Sequence, residues 1–179
     1  INSEKMSKSL NNFFLVKDVL KHYSPDALRF FLISNHYRSP LDFSDERLEE
    51  MTRSLERLGT AIDNVLELLA MPAGAKSPEA QQLLETAHKD EEAFENAMCD
   101  DFNTALASAA MFDLAKNVNI FKNAVVNNGV PVDSAALSEV KRVFKTFTDI
   151  LGILEDRWTG KKEDASSKDY DDLMQAILD

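Results

Sequence analysis

Apolar residues recur at helical spacing along almost all of the chain after Phe13. Leu48, Met51, Leu55, Leu58, Ile62, Val65 and Leu69 advance in alternating steps of three and four. That spacing lays one apolar stripe along a long helix, capped by Ser44-Asp45-Glu46. Before it, residues 16–23 read as a short helix ended by Ser24-Pro25. The same pair opens a second helix, with Ser24 as N-cap, Pro25 in the first position and Asp26 in the first turn. This helix runs to about residue 35 and places Leu28, Phe31 and Leu32 on one face. Residues 36–43 hold Pro40 and no helical period, which predicts an extended connector.

Beyond the long helix, residues 71–76 break the pattern and Ser77-Pro78 restarts it by the same cap. A helix beginning near Asn103 should carry Leu106, Ala109, Phe112, Ala115, Val118 and Phe121, and residues 127–131 form a turn. Asp133 then caps a helix bearing Leu137, Val140, Phe144, Phe147, Leu151 and Leu154. Residues 155–168 are polar and read as a linker, and residues 170–178 as a short amphipathic helix. The expected fold is all-α: short helices, then an antiparallel helical bundle of four helices of about 20 residues. Core packing accounts for the apolar stripes and for most of the eleven phenylalanines without a coiled-coil partner.

Composition narrows the class of protein. With 179 residues, 44% of them hydrophobic, the chain can bury a sizeable core. No apolar run approaches the roughly 18 residues of a membrane span, so no membrane association is expected. Residues 1–12 lack the charged and apolar regions of a secretory signal. The single cysteine, Cys99, cannot form an internal disulfide, which points to a reducing, cytoplasmic setting. Net charge is −11, yet residues 1–40 carry +3 and residues 41–179 carry −14. A phosphate-facing surface therefore belongs to the first 40 residues.

Candidate chemistry is sparse. His22, His36 and His88 are scattered without a second ligand at helical spacing, which argues against a metal site in the chain. Cys99 sits beside Asp100 and Asp101, whose charges disfavour a thiolate. Asp100 and Asp101 read either as an acid–base couple or, with Asn103, as turn and capping residues. The one stretch with a chemical look is Glu4-Lys5-Met6-Ser7-Lys8-Ser9-Leu10-Asn11-Asn12. Two ammonium groups, two hydroxyls and a turning backbone suit an anion, and triphosphate chemistry needs such donors as charge develops. A solvated charged loop fits the same residues.

Lys5-Met6-Ser7-Lys8-Ser9 resembles the KMSKS signature of class I aminoacyl-tRNA synthetases, and Asp26-Ala27-Leu28-Arg29 resembles the DALR element that follows it. Two further tracts are similar to cysteinyl-tRNA synthetases. One runs from Asn35-His36-Tyr37-Arg38 through Ser39-Pro40-Leu41-Asp42-Phe43-Ser44; the other is Met98-Cys99-Asp100-Asp101-Phe102-Asn103-Thr104. Cys99 departs from the Asp usual in that family, and Asn11 from a common Gly. The resemblance covers residues 1 to about 154.

The resemblance implies a C-terminal fragment of an enzyme that activates cysteine with ATP and Mg2+ and attaches it to tRNA. By that likeness Lys8 and Lys5 are catalytic, and Lys5, Met6, Ser7, Lys8 and Ser9 form the ATP loop. Lys17, Lys21, Arg29, His36 and Arg38 are the candidates for tRNA contact, with Arg29 alternatively paired to Asp26. Residues 1–43 then close the catalytic region, residues 44–154 form a DALR-type helical bundle, and residues 155–179 lead to a further domain. A nucleotide-binding half and Zn2+ ligands are implied elsewhere in the parent protein, so the chain alone is expected to be an inactive monomer. Two rivals remain at this point: a cysteine-activating ligase with an amino-sugar acceptor, and a non-catalytic helical interaction module.

Overall fold

A computed structural model describes residues 15–160. The signature loop at residues 5–9 and the amphipathic stretch at 170–178 lie outside the described residues. The described residues contain helices and no strand. Two short helices, α1 (Val16–Val19) and α2 (Pro25–Ile33), precede four long ones: α3 (Asp45–Ala70), α4 (Pro78–Cys99), α5 (Thr104–Asn128) and α6 (Ser134–Leu151). A last short helix, α7 (Glu155–Thr159), follows.

Most of the helix starts are set by short polar side chains. Ser24 Oγ accepts from the Ala27 amide at 3.1 Å, Ser44 Oγ from Arg47 at 3.3 Å and Ser77 Oγ from Ala80 at 3.1 Å. Asn103 Oδ1 accepts from Leu106 at 3.1 Å, and Asp133 Oδ1 from Ala135 and Ala136 at 3.0 and 3.2 Å. Each cap satisfies amides that the first helical turn leaves without a carbonyl. Gly129 and Gly152, both with positive φ, end α5 and α6.

The four long helices form the bundle with an unusual adjacency. Helices α3 and α4 each pack against both α5 and α6, so α3 and α4 stand at opposite corners. The link between them must cross one end of the bundle. There Gly74 donates its amide to the Val132 carbonyl at 2.8 Å, and a Cβ at Gly74 would meet Pro131 at 2.7 Å. Only glycine fits that crossing. Phe94 of α4 and Phe147 of α6 stack at 4.3 Å in the core, and Phe30 of α2 meets Phe112 of α5 edge-on at 6.2 Å. Each such burial contributes roughly 1.5–3 kcal/mol.

Several details differ from the expected pattern. Helix α1 ends at Val19, and residues 20–23 turn instead of continuing it. In α2, Phe31 is buried but Leu32 is 53% exposed, because Ala27 and Phe30 face the bundle. In α3, Leu68 is buried where Leu69 is only half so. In α5 the buried apolar set is Ala107, Ala110, Met111, Leu114, Ala115, Val118, Phe121 and Val125, so Ala115, Val118 and Phe121 lie where expected while Leu106 and Ala109 are exposed. Leu154 is buried but lies past the end of α6, in a left-handed conformation. Helix α7 occupies residues read as linker, held by Arg157 and Trp158.

Candidate functional site

The end of the bundle opposite Gly74 collects the residues of interest. Helices α1 and α2, the 36–43 connector, the α4–α5 turn and the α6–α7 corner all meet there. Val19 of α1, Phe31 of α2 and Leu48 of α3 form a small apolar cluster with Tyr23, Leu28 and Phe43 around it. That cluster fixes α1 and α2 against the first turns of α3.

The connector is clasped to the α4–α5 turn through Asp101. Tyr37 donates its hydroxyl to Asp101 Oδ1 at 2.7 Å, and Arg38 Nη2 lies 3.2 Å from both carboxylate oxygens. Arg38 Nε donates to the Tyr37 hydroxyl oxygen at 2.8 Å, closing a three-membered network. His36 stacks on the Tyr37 ring at 4.9 Å, with its Nε2 3.8 Å from Asp101 Oδ2. The bond to Asp101 raises the Tyr37 phenol pKa, because ionising it would remove the donor that the carboxylate holds. The cationic Arg38 opposes that effect.

Asp101 and Phe102 have φ values of 55° and 52°, two successive non-glycine residues in the left-handed region. Such positions cost about 1–3 kcal/mol each and persist where surrounding bonds over-determine them. Here the Phe102 amide donates to the Met98 carbonyl at 3.3 Å, the Asn103 amide to Ala97 at 3.0 Å, and Asn103 caps α5. With Asp101 held from the connector, the turn has no slack. Its product is Phe102 at 68% exposure, the most solvent-accessible large apolar residue described.

The DALR-like tetrapeptide behaves differently from a simple ion pair. Asp26 Oδ2 accepts the Leu154 amide at 2.6 Å, so its carboxylate caps the α6–α7 corner. Burial raises the Asp26 pKa, with that amide bond working in the opposite direction. Arg29 acts on Asp26 only through its charge, which favours the ionised carboxyl, and lies over Gly152, where an added Cβ would clash with its Nη1. Lys21 pairs with Asp18 at 2.8 Å, and Lys17 stands exposed on α1. The fold thus brings His36 and Arg38 together on one carboxylate and sets Arg29, Lys17 and Lys21 around the same end. Sequence reasoning read Asp101 either as half of an acid–base couple with Asp100 or as a turn residue; its role as acceptor depends on a contact 64 positions away.

Between α4 and α5 runs a groove of about 490 Å3 with Asp90, Asn96, Asp100 and Asp113 on its walls and Leu106 at its rim. Its charge repels polyanions. Among the described residues no three His, Cys, Asp or Glu side chains gather as metal ligands, and the exposed Cys99 stands apart. The described residues do not furnish a zinc site. None of the described helices is long and apolar enough to cross a membrane.

Comparison with known proteins places these elements in a family. Residues 1–53 match the tRNA synthetases class I (C) catalytic domain, and residues 93–155 match the DALR domain. The tetrapeptide at 26–29 therefore lies in the catalytic-domain match, and the Asp101–Phe102 turn in the DALR match. The chain is 46% identical over 165 residues to the cysteine–tRNA ligase of Desulforamulus reducens, covering 90% of this chain and 34% of that protein. It is 38% identical over 182 residues to that of Heliobacterium modesticaldum, covering 99% and 37%. For the cysteine–tRNA ligase of a Geobacter species the figures are 45% over 159 residues, 87% and 31%. The chain spans about a third of the length of the curated relatives it matches. It belongs to the cysteine–tRNA ligase family, as the stretch in which the class I catalytic domain gives way to the DALR helices.

Proposed function

We propose that this chain serves a cysteine–tRNA ligase, supplying the loop that meets the ATP phosphates and a helical region that meets tRNA. The observation that carries the reading is the ordered pair of family matches, catalytic domain then DALR domain, on one chain. Lys8 stabilises charge on the phosphates as the cysteinyl adenylate forms, Lys5 assists, and Met6, Ser7 and Ser9 shape the loop. Mg2+ accompanies the ATP. Zinc, if the whole enzyme holds it, takes ligands from outside the described residues. Lys17, Lys21, Arg29, His36 and Arg38 face the tRNA, at the end of the bundle where the fold collects them. The chain acts as part of a monomeric, cytoplasmic enzyme, with residues 1–43 ending the catalytic region, residues 44–154 forming the helical bundle and residues 155–179 leading onward. That the relatives are cysteine–tRNA ligases favours tRNA over an amino sugar as acceptor.

The test is cysteine-dependent ATP–pyrophosphate exchange by the complete ligase, with Lys8→Ala beside it. Exchange should require cysteine and fall by two orders of magnitude or so in the variant, the scale expected when a preorganised charge donor is lost. Adding tRNA should then yield cysteinyl-tRNA. Undiminished exchange in Lys8→Ala would remove the assignment of that lysine.

A further inference from the structure

We propose that Phe102 is a stacking contact for an unpaired base of the tRNA, presented by the strained α4–α5 turn. The inference rests on the tRNA reading above and names a contact within it. Phe102 is 68% exposed, and among the described residues no ring stacks on it. A large apolar side chain held in water gains nothing for the fold. A left-handed backbone at the same residue works against the fold as well. Both costs are tolerated in a turn fastened by Asp101, Asn103 and two backbone bonds, so the ring is held out at a fixed place. A fixed, exposed aromatic, next in the chain to an aspartate that holds an arginine and a histidine, is the chemistry by which RNA-binding surfaces take up splayed bases.

The local charge favours a base over a phosphate. Arg38 is already engaged by Asp101, and Asp100 adjoins the turn, so little positive field is left for the backbone. Every base has a π-face, whereas the phosphates are drawn to Lys17 and Arg29 at the same end of the bundle. Contact through Phe102 should therefore depend only weakly on salt.

Glycine at position 102 separates this role from a structural one. In the complete ligase, Phe102→Gly relieves the left-handed strain while deleting the ring. Its thermal midpoint should rise, cysteine-dependent pyrophosphate exchange should stay unchanged, and kcat/KM for tRNA should fall at least about fivefold. The drop should be similar at low and high salt, and Phe102→Trp should keep wild-type charging. An unchanged kcat/KM for tRNA in Phe102→Gly, with the unaltered enzyme charging normally, overturns this contact and leaves the ligase reading intact. A lowered thermal midpoint also overturns it, since the ring would then be packing against another part of the ligase or a second copy. Failure of the unaltered enzyme to charge tRNA removes the ligase reading and this contact with it.

Discussion

Asp90 shows how one side chain sets a pH dependence. Its Oδ2 is buried without a hydrogen-bond partner among the described residues, and burial followed by the facing charge of Asp113 pushes its pKa to about 6. A carboxylate whose pKa is raised on folding binds protons better in the folded chain, so stability falls as pH rises from about 4 to about 6. The whole difference converts to about 3 kcal/mol, and solvent reaching the half-buried groove cuts it to about 1 kcal/mol. Asp90→Asn should stabilise the fold by that amount at pH 7, with the gain vanishing near pH 4. Urea denaturation at the two pH values reads this directly, and an equal gain at both would refute the cause assigned. At the candidate site, Arg38 counts among the basic residues of the positively charged first 40, and the resemblance named both it and His36 for tRNA contact. Asp101 carried no such mark: its spacing before Asn103 suits a turn, and the Tyr37 and Arg38 bonds exist only once α4 and the connector share one end. The exposure of Phe102 was likewise hidden, because phenylalanine in a helical protein reads as core.

Helix α7 is the element whose contribution is least visible from its own composition. Arg157 donates to Asp63 at 2.7 Å and to Glu56 at 2.5 Å, its guanidinium lying flat over Gly59 of α3. Trp158 packs edge-on against Phe144 at 6.1 Å and donates to Thr148 Oγ1 at 2.8 Å. Together they pin the α6–α7 corner on which Asp26 also closes. Trp158→Ala should cost about 2–3 kcal/mol, below the usual range for a wholly buried tryptophan because part of the ring is solvated. Arg157→Ala, removing partly screened pairs, should cost about 1 kcal/mol. Chemical denaturation of the two variants checks the order; a larger loss from Arg157 would mean that the ion pairs outweigh the ring. Such an element escapes a periodicity reading because five residues are too few to show a period. The longer helices were legible for the opposite reason: Ser24, Ser44, Ser77, Asn103 and Asp133 all announce helix starts by hydroxyl, amide or carboxylate. Register was legible in α3 and α6, where polar faces contrast with apolar ones. In α5 the first three turns are apolar on most sides, and only packing against α3 and α4 selects Ala107, Ala110 and Met111 over Leu106 and Ala109.

Across the whole molecule, charge pulls stability and binding in opposite directions. The chain carries −11, with +3 in its first 40 residues and −14 in the rest. Like charges crowded on a bundle repel, and salt screens them over about 10 Å at 0.1 M. The thermal midpoint should therefore rise with added NaCl. On the proposed tRNA reading, attraction to tRNA should weaken over the same series, because each phosphate neutralised by Lys or Arg releases counterions and steepens the salt slope by about 0.7–0.9. The geometry ranks the cations. Arg38 is committed to Asp101 and Lys21 to Asp18, so their replacement should alter the slope less than that of Lys17 or Arg29. Equilibrium binding of tRNA to the complete ligase and its Lys17→Ala, Arg29→Ala and Arg38→Ala variants, at several salt concentrations, tests the ranking. Loss of about one unit of slope in Lys17→Ala and Arg29→Ala, with little change in Arg38→Ala, would place the phosphates along α1 and α2. The reverse order would mean that tRNA displaces the Asp101 clasp, freeing Arg38 to bind phosphate in its place.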